Sequence, residues 1–311
     1  MKRRSTHFLV TKLTRAVFSI LLLVTGVFVL LRNAGDPIAV FLGPDATPEM
    51  KTAFASKLGL DRPLQEQYFT YIANIFEGSF GLSYVYRRDS FAVVVEHLGA
   101  TLLLMLPALA LAILVGITAG VMAAVLRGTM ADRMITAAIS TGLCIPAFFL
   151  GLILMLVFAI QLRLLPTNGA ETWRHLILPA LTISAANAAV LARYTRATMS
   201  EVLGSPFVLA AKARDVPFWR ILVSHALPNA ASPILSVMGL LLGGMVTGSI
   251  VVEAVFSWPG MGNLFITSIG NRDIPVVQAI VILAGAAMIL SNFAVDILYV
   301  VVDPRARRQE G

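Results

Sequence analysis

Charged residues interrupt this chain only at intervals, and six long uncharged runs lie between them. The runs cover residues 16–31, 98–126, 134–162, 175–192, 221–252 and 274–295. A helix needs about 20 mostly apolar residues to cross a bilayer, so each run is long enough or nearly so. The shortest run is 16–31, where Arg15 and Arg32 can extend their charged heads to the two interfaces. The pattern predicts an all-α polytopic membrane protein with six transmembrane helices and both termini on one side.

Composition supports the same fold class. Of the 311 residues, 58% are hydrophobic and only 13% are charged, which is too apolar for a soluble domain of this size. The single cysteine, Cys144, lies within a predicted span. The chain can therefore form neither an internal disulfide nor a site of several thiolates for a metal.

The first run has an alternative interpretation as a secretory signal peptide, because Lys2, Arg3 and Arg4 precede it. Its apolar part is slightly long for that role. Arg32 and Asn33 follow it directly, where a signal peptide would have small residues for cleavage. We therefore expect a first span that is retained.

The net charge of +7 marks topology rather than binding of nucleic acid. Fifteen of the 24 Lys and Arg residues fall in the segments 1–15, 127–133, 193–220 and 305–308. Basic residues in short loops mark the cytoplasmic side of a membrane protein. The distribution predicts cytoplasmic N- and C-termini and a large outside loop over 33–97.

The longest polar gap in the C-terminal half contains the stretch 207–228. Pro206 favours a helix start, because a residue of the first turn needs no amide donor. Pro217 is expected to end this helix, and Phe218 is expected to begin another one. A short helix held between two spans is suited to docking another protein, although an ordinary basic cytoplasmic loop is an equally simple interpretation from composition alone.

Two features within the spans each allow two interpretations. Pro146 in the third run frees a carbonyl and bends the helix, either as a packing kink or as a bend lining a pore. With it, Phe148 and Phe149 are candidate pore or gate residues. In the fifth run small residues recur at intervals of about four, which suits a subunit interface or an internal helix contact. These residues are Gly239, Gly243, Gly244 and Gly248.

The sequence lacks the motifs of an enzyme. It has no phosphate-binding loop of the form Gly-x-x-x-x-Gly-Lys-Ser/Thr, and its four histidines are scattered. The centres of the spans carry no acid or base, whereas proton-coupled transporters place ionisable residues there. We therefore predict no catalytic residue, cofactor site or metal site, and disfavour both a secondary transporter and a membrane-embedded enzyme. The energy for transport would have to come from another chain.

The 207–228 stretch resembles the EAA loop of the integral membrane subunits of ATP-binding-cassette (ABC) importers. Ala210 and Ala211 match the two alanines of that motif, and Leu227-Pro228 matches its end. Leu209 stands where the motif has Glu, and Asp215 stands where it has Gly. The resemblance implies a set of residues that couple to an ATPase. They are Phe207, Ala210, Ala211, Lys212, Ala213, Arg214, Asp215, Leu227 and Pro228.

Other motifs resemble the B-type subunit of the dipeptide, oligopeptide and nickel permease family, and the likeness covers nearly the whole chain. They are GDP at 35–37, GLDRP at 59–63, GSFGLS at 78–83, FSWPGMG at 256–262, NRDIP at 271–275 and DPR at 303–305. We expect the tryptophan of the 256–262 motif to lie at the membrane interface.

The resemblance implies the type I ABC importer permease fold in the plasma (inner) membrane of a bacterium. Residues 1–97 would hold the N-terminal tail, the first helix and the outside loop. Residues 98–302 would form a five-helix core with a cytoplasmic coupling loop at 193–228, and 303–311 a cytoplasmic tail. The implied partners are a second permease subunit, two ATPase subunits that carry ATP and magnesium, an extracytoplasmic binding protein and the lipid membrane. The implied cargo is a di- or oligopeptide, with nickel, glutathione or another peptide-like solute as alternatives.

Asp215 departs from the motif at a point where glycine would end the short helix with a positive φ. Asp reaches the left-handed region better than most residues, because its short side chain forms local hydrogen bonds. The alternative is an extended exit imposed by Val216 and Pro217, since a residue before proline is pushed away from helical geometry. We favour the left-handed conformation, with φ above zero at Asp215.

Overall fold

The computed structural model describes residues 2–33, 42, 46–57, 59 and 61–302, and these are almost entirely helical. In chain order the helices are α1 (Lys2–Asn33), α2 (Pro48–Lys57), α3 (Leu64–Phe76), α4 (Ser90–Val125), α5 (Met130–Cys144), α6 (Ala147–Leu154), α7 (Trp173–Leu203), α8 (Pro206–Ala213), α9 (Phe218–Arg220), α10 (Leu227–Val255), α11 (Met261–Gly270) and α12 (Ile274–Val302). A π-helical segment at Met155–Gln161 extends α6, and another at Ile221–Ala226 joins α9 to α10. The motifs at 35–37 and 303–305 lie outside the described residues.

The predicted membrane-spanning architecture is confirmed. Within the described part of the chain, five helical segments are long and apolar enough to cross a membrane, and one bent pair makes a sixth. The five are Thr11–Leu30, Ser90–Val125, Trp173–Leu203, Phe218–Met245 and Ile274–Ala294. Each contains most or all of one of the uncharged runs, so the spacing of charged residues located them correctly.

The third run differs from its prediction as one kinked span. α5 ends at Cys144, and Ile145 is extended with φ −83° and ψ 120°. A residue before proline is driven out of the helical region, so Pro146 ends one helix and lets a new one start after it. The two halves are bent by 105° relative to each other. The run is a broken segment, and the bend is far larger than a packing kink.

At two points α4 contributes a glycine, and so no side chain, to its contact with α7. A Cβ atom on Gly116 would lie 2.9 Å from the carbonyl oxygen of Ala188. One on Gly120 would lie 2.7 Å from the carbonyl oxygen of Ala192 and closer still to Thr195. Small residues allow helix backbones in a membrane to approach this closely. The glycines therefore fix the contact between these two long helices.

The molecule has two ends, which we name by their segments. At the loop end, the turn 78–89 and the segment 256–274, which contains α11, lie beside a core cluster that includes Val93, Met261 and Val276. At the α8 end, another cluster includes Ala124, Met199 and Ala226, near the turn 126–129 and the segment 204–220. The long helices of the bundle connect these two ends.

The glycines of α10 divide between the two interpretations. Gly239 and Gly243 are buried, and a Cβ on Gly243 would lie 3.3 Å from Met288 Cγ of α12. Gly244 and Gly248 are exposed, and a Cβ on either would meet nothing within 4 Å. Gly243 therefore forms an internal contact, whereas the other face of α10 is left open.

Candidate functional site

The short helix predicted after Pro206 is present as α8. Pro206 occupies its first position, where the missing amide proton costs nothing. Val208 is fully buried, and α8 packs against the Ile221–Ala226 segment. Ala210 is exposed and Ala211 is half-buried. One apolar side chain therefore anchors a helix whose opposite face is free.

α8 ends at Ala213, before the position expected from Pro217. The amide of Val216 donates to the carbonyl of Ala211 at 3.2 Å, and the amide of Asp215 donates to that of Lys212 at 3.0 Å. These two bonds form a Schellman motif, which needs a left-handed residue directly after the helix cap. That residue is Asp215, with φ 56°. The prediction of a positive φ is confirmed, and the alternative of an extended exit is wrong.

Large apolar side chains are left exposed around α8, and we call this set the α8 surface. It comprises Phe207, Leu209, Phe218 and Trp219, of which Leu209 is 57% and Trp219 62% exposed. Cations lie over two of the rings. The Nζ of Lys212 is 5.8 Å from the Phe218 ring centre, and the guanidinium carbon of Arg220 is 5.6 Å from that of Trp219. The α8 surface is thus apolar with a basic rim.

The remaining predicted coupling residues fall into two groups. Ala213, Arg214 and Asp215 are exposed beside the α8 surface. Leu227 and Pro228 lie in the first turn of α10, beyond the π-helical segment. Leu227 packs against the core cluster at the α8 end. It therefore supports the second helix and is not part of the α8 surface.

An ion pair that the sequence analysis did not find lies at the same end. Arg196 of α7 donates from Nε and Nη2 to the two carboxylate oxygens of Asp132 in α5, at 2.9 and 3.0 Å. Asp132 is buried and also accepts from the amide of Gly128 at 3.0 Å. The available sequence signal was Thr129 at the cap of α5 with an acid three residues later, which is the capping-box pattern. The pair fixes the α4–α5 turn to α7, the helix that leads into α8.

The candidate pore residues lie at the break in the third run. Phe148 and Phe149 are both exposed on α6, directly after Pro146. The open face of α10 is a further candidate. Its exposed residues recur at intervals of three and four along the helix, and most are small or polar. They are Asn229, Pro233, Ser236, Leu240, Gly244, Thr247 and Val251.

A buried carboxylate at the loop end caps α11. Glu253 is fully buried, and its Oε2 accepts from the amides of Gly262 at 2.7 Å and Asn263 at 3.4 Å. Thr101 of α4 accepts from the amide of Met261 at 2.7 Å. The first amides of a helix lack internal partners and attract negative charge. Side chains of α10 and α4 thus hold the N-terminus of α11 between them.

The tryptophan of the 256–262 motif is buried inside the protein and does not face the lipid. Trp258 is only 2% exposed, and its indole N–H donates to the carbonyl of Ala100 at 2.8 Å. Gly260 follows it so closely that a Cβ there would lie 2.5 Å from Thr101 Oγ1. The motif is therefore an internal anchor to α4.

Two of the sequence motifs come together at a second buried carboxylate. Asp273, which is fully buried, accepts hydrogen bonds from the hydroxyl of Ser83 and from the amides of Tyr84 at 3.0 Å and Val85 at 3.3 Å. Burial and the charge of Asp273 raise the pKa of Tyr84 to about 12. This contact fastens the 78–89 turn to the start of α12.

Comparison with known proteins identifies the kind of transporter. Residues 116–308 match the family described as binding-protein-dependent transport system inner membrane component, and residues 5–105 match the N-terminal region of such membrane components. The chain belongs to this family. The glutathione transport system permease protein GsiC of Escherichia coli K12 is 41% identical over 88% of this chain and 89% of its own length. GsiC of Shigella dysenteriae shows the same identity and coverage.

A solved structure supports the family's fold. A chain of the MetNI methionine ABC transporter in an inward-facing crystal form aligns with a TM-score of 0.58 and 18% identity, over 68% of this chain and 96% of that one. The chain is therefore an ABC importer permease with the type I fold, and a multi-pass protein of the inner membrane. Membership of this family implies other permease, ATPase and binding-protein subunits.

Proposed function

We propose that this permease is one of two related chains that together form a pore, and that its α8 surface binds a cytoplasmic ATPase subunit. The observation that carries the proposal is the exposure of four large apolar side chains around a helix anchored by Val208 alone. Such a patch, rimmed by charge, is typical of a protein-interaction site. The basic rim of Lys212 and Arg220 would favour an acidic groove on the partner.

The orientation follows from charge. The α8 end carries the short basic segments, including Arg127, Arg133 and the 193–220 loop. By the positive-inside rule this end faces the cytoplasm, together with both termini. The loop end then faces outward, where a binding protein would deliver cargo to the surfaces of 33–97 and 253–275.

The path for cargo is proposed to run along the open face of α10, past the break at Pro146. This face carries Asn229, Ser236 and Thr247. Polar side chains within a bilayer face the interior of the bundle, so this face should contact a water-filled path or a second subunit instead of lipid. Phe148 and Phe149 lie exposed directly after the break and are proposed to narrow this path. The centres of the spans carry no acid or base, which fits transport that is not coupled to the movement of protons.

The proposed cargo is a peptide-like solute. The GsiC relatives are named for glutathione, itself a small peptide derivative, and a di- or oligopeptide fits the same chemistry. The alternatives are nickel, which is a metal ion, and peptide-like solutes other than these. Uptake of labelled dipeptide, glutathione and nickel by the complete transporter with its own binding protein separates them, and saturation by a peptide-like solute is expected.

Docking at α8 is tested by adding bulk to its free face. Ala211→Trp would fill the proposed groove, but Ala211 is half-buried, so the exposed Ala210 gives a cleaner substitution. We expect Ala210→Trp to abolish uptake in proteoliposomes and to reduce co-purification of the ATPase. The melting temperature of the isolated permease should not change, because position 210 contacts no core cluster.

The matched control is Leu22→Trp, which adds the same ring to an exposed position of α1. This control should transport normally. If Ala210→Trp retains uptake and the usual amount of bound ATPase, then α8 is not the docking element.

A further inference from the structure

α3 is a thirteen-residue helix with one face packed against the bundle. The side chains on that face are Tyr68, Tyr71, Ile72 and Ile75, spaced as one side of a helix. The hydroxyls of Tyr68 and Thr25 are 2.7 Å apart. The ring of Phe28 lies 5.3 Å from Tyr68 and 5.2 Å from Tyr71. These contacts fix α3 to the C-terminal part of α1.

A second apolar stripe on α3 is largely exposed, although the ring of Phe69 also contacts that of Tyr68 at 5.8 Å. Phe69 is 69% exposed and Phe76, two turns later on the same side, is 83% exposed. Ala73 is exposed between them. The opposite side carries Glu66, Thr70 and Asn74, all exposed. The helix therefore has a packed face, an exposed aromatic stripe beside it, and a polar face.

The contacts of α3 set its depth. Thr25 and Phe28 belong to the uncharged run 16–31, seven and four residues before Arg32. At 1.5 Å per residue they lie about 10 Å and about 6 Å below the charged end of α1. α3 also packs against the cluster containing Val276 and Ile280, in the first two turns of α12. Both neighbouring helices place α3 at the edge of the membrane.

We propose that α3 lies in the interface of the bilayer and that Phe69 and Phe76 insert between lipid head groups and acyl chains. Amphipathic interfacial helices bury their apolar face to a depth of about 5–10 Å, which agrees with the depth of α3. In α1, the helix that α3 packs against, Val29 and Leu30 are exposed as well.

Lipid fits this stripe by its charge as well. α3 carries one acid and no Lys or Arg, so it offers no attraction to anionic head groups. Its anchoring would rest on the two aromatic rings and should not depend on the fraction of anionic lipid. α3 leads into the turn that binds Asp273. The depth of α3 in the membrane would therefore fix the position of that turn relative to the bilayer surface.

Spin labels on single cysteines test the position of α3. The complete transporter, with Cys144→Ala in this chain, is placed in nanodiscs of phosphatidylethanolamine and phosphatidylglycerol, and in nanodiscs of phosphatidylcholine alone. Nitroxides are attached at Phe69→Cys and Phe76→Cys, with Asn74→Cys on the polar face as the matched control. Leu22→Cys serves as the reference for lipid exposure. Power saturation then compares collisions with oxygen and with a water-soluble nickel chelate.

We expect the ratio of oxygen to nickel collisions at positions 69 and 76 to exceed that at position 74 and to approach that at position 22, in both lipid mixtures. A ratio like that of position 74 would place the stripe in water and overturn the proposal. Protection from both reagents would mean that a protein covers the stripe, which also overturns it. Should a cysteine variant not fold, Phe69→Trp and Phe76→Trp keep the ring. If brominated lipid quenches the tryptophan fluorescence of these variants more than that of the parent chain, the proposal is supported. Equal quenching would contradict it.

Discussion

The two buried carboxylates of the loop end and the α8 surface differ in whether the chain itself supplies their partners. At the loop end, Glu253 and Asp273 are fully buried, and backbone amides of neighbouring segments donate to both. At the α8 end, large apolar side chains such as Leu209 and Trp219 remain exposed, and Val208 alone anchors the helix. The two carboxylates are satisfied within the chain, whereas the α8 surface remains exposed.

Substitutions at these two places should have different effects. A buried carboxylate that loses its place leaves donors without partners, which costs stability. An exposed apolar patch contributes little to the fold of the isolated chain, so altering it should affect association instead. Variants of the loop end should therefore lose stability and transport together, while variants of the α8 surface should lose transport alone.

The largest loss of stability is expected for Asp273→Ala. Three donors, from Ser83, Tyr84 and Val85, would lose their acceptor. With a cost of about 1–3 kcal/mol for a buried donor left unpaired, we expect a loss of about 3 kcal/mol and a clearly lower melting temperature in detergent. Glu77→Ala removes an exposed acid at the same end and should melt like the parent. An unchanged melting temperature in Asp273→Ala would remove the basis for treating the loop end as self-contained.

A somewhat smaller loss is expected for Gly260→Ala. The added methyl would press on Thr101 Oγ1 and on the carboxylate of Glu253, which cap the first amides of α11. Overpacking of this kind costs about 1–3 kcal/mol. The matched control is Gly270→Ala, at the other end of α11, where a Cβ meets nothing within 4 Å. Thermal melts of the two variants should separate, and equal melts would contradict the close packing at Gly260.

The smallest effect is expected at Asp215, on the α8 end. Its φ of 56° is costly for a β-branched residue, so Asp215→Val should lose about 1 kcal/mol and weaken transport. Asp215→Gly should be neutral or slightly stabilising, because glycine adopts this conformation freely. Asp215→Asn is the control, since Asn also tolerates the left-handed region. Normal transport by the Val variant would show that the turn after α8 adapts without loss.

Much of the fold could be predicted because it depends on local properties of the chain. The spans follow from uncharged runs, and the short helix follows from Pro206 and a row of small residues. Even the left-handed turn at Asp215 was predictable, since the hydrogen bonds that require it come from residues within one turn. Pro146 showed where the third run bends, but the 105° between its halves depends on packing against α7 and α10.

The contacts that close the loop end could not be predicted, because they join residues far apart in the sequence. Ser83 and Asp273 are separated by 190 positions, and each sits in a motif that reads as an ordinary turn. Glu253 directly follows the uncharged run 221–252, and Trp258 was expected at the membrane interface. Both residues are buried because α4 and α11 pack against them, and these contacts follow from the tertiary structure alone.

The close approach of α4 and α7 has a mechanical consequence. Where Gly116 and Gly120 meet the backbone of α7, α4 contributes no side chain that could slide or change rotamer, and Leu191 and Thr195 of α7 lie directly against these glycines. The two helices should therefore move as one stiff lever. α7 ends next to α8, and α4 carries Thr101 under the N-terminus of α11 at the other end. A push on α8 would thus reach the far side of the membrane as a tilt of this lever, without any change in the helices themselves.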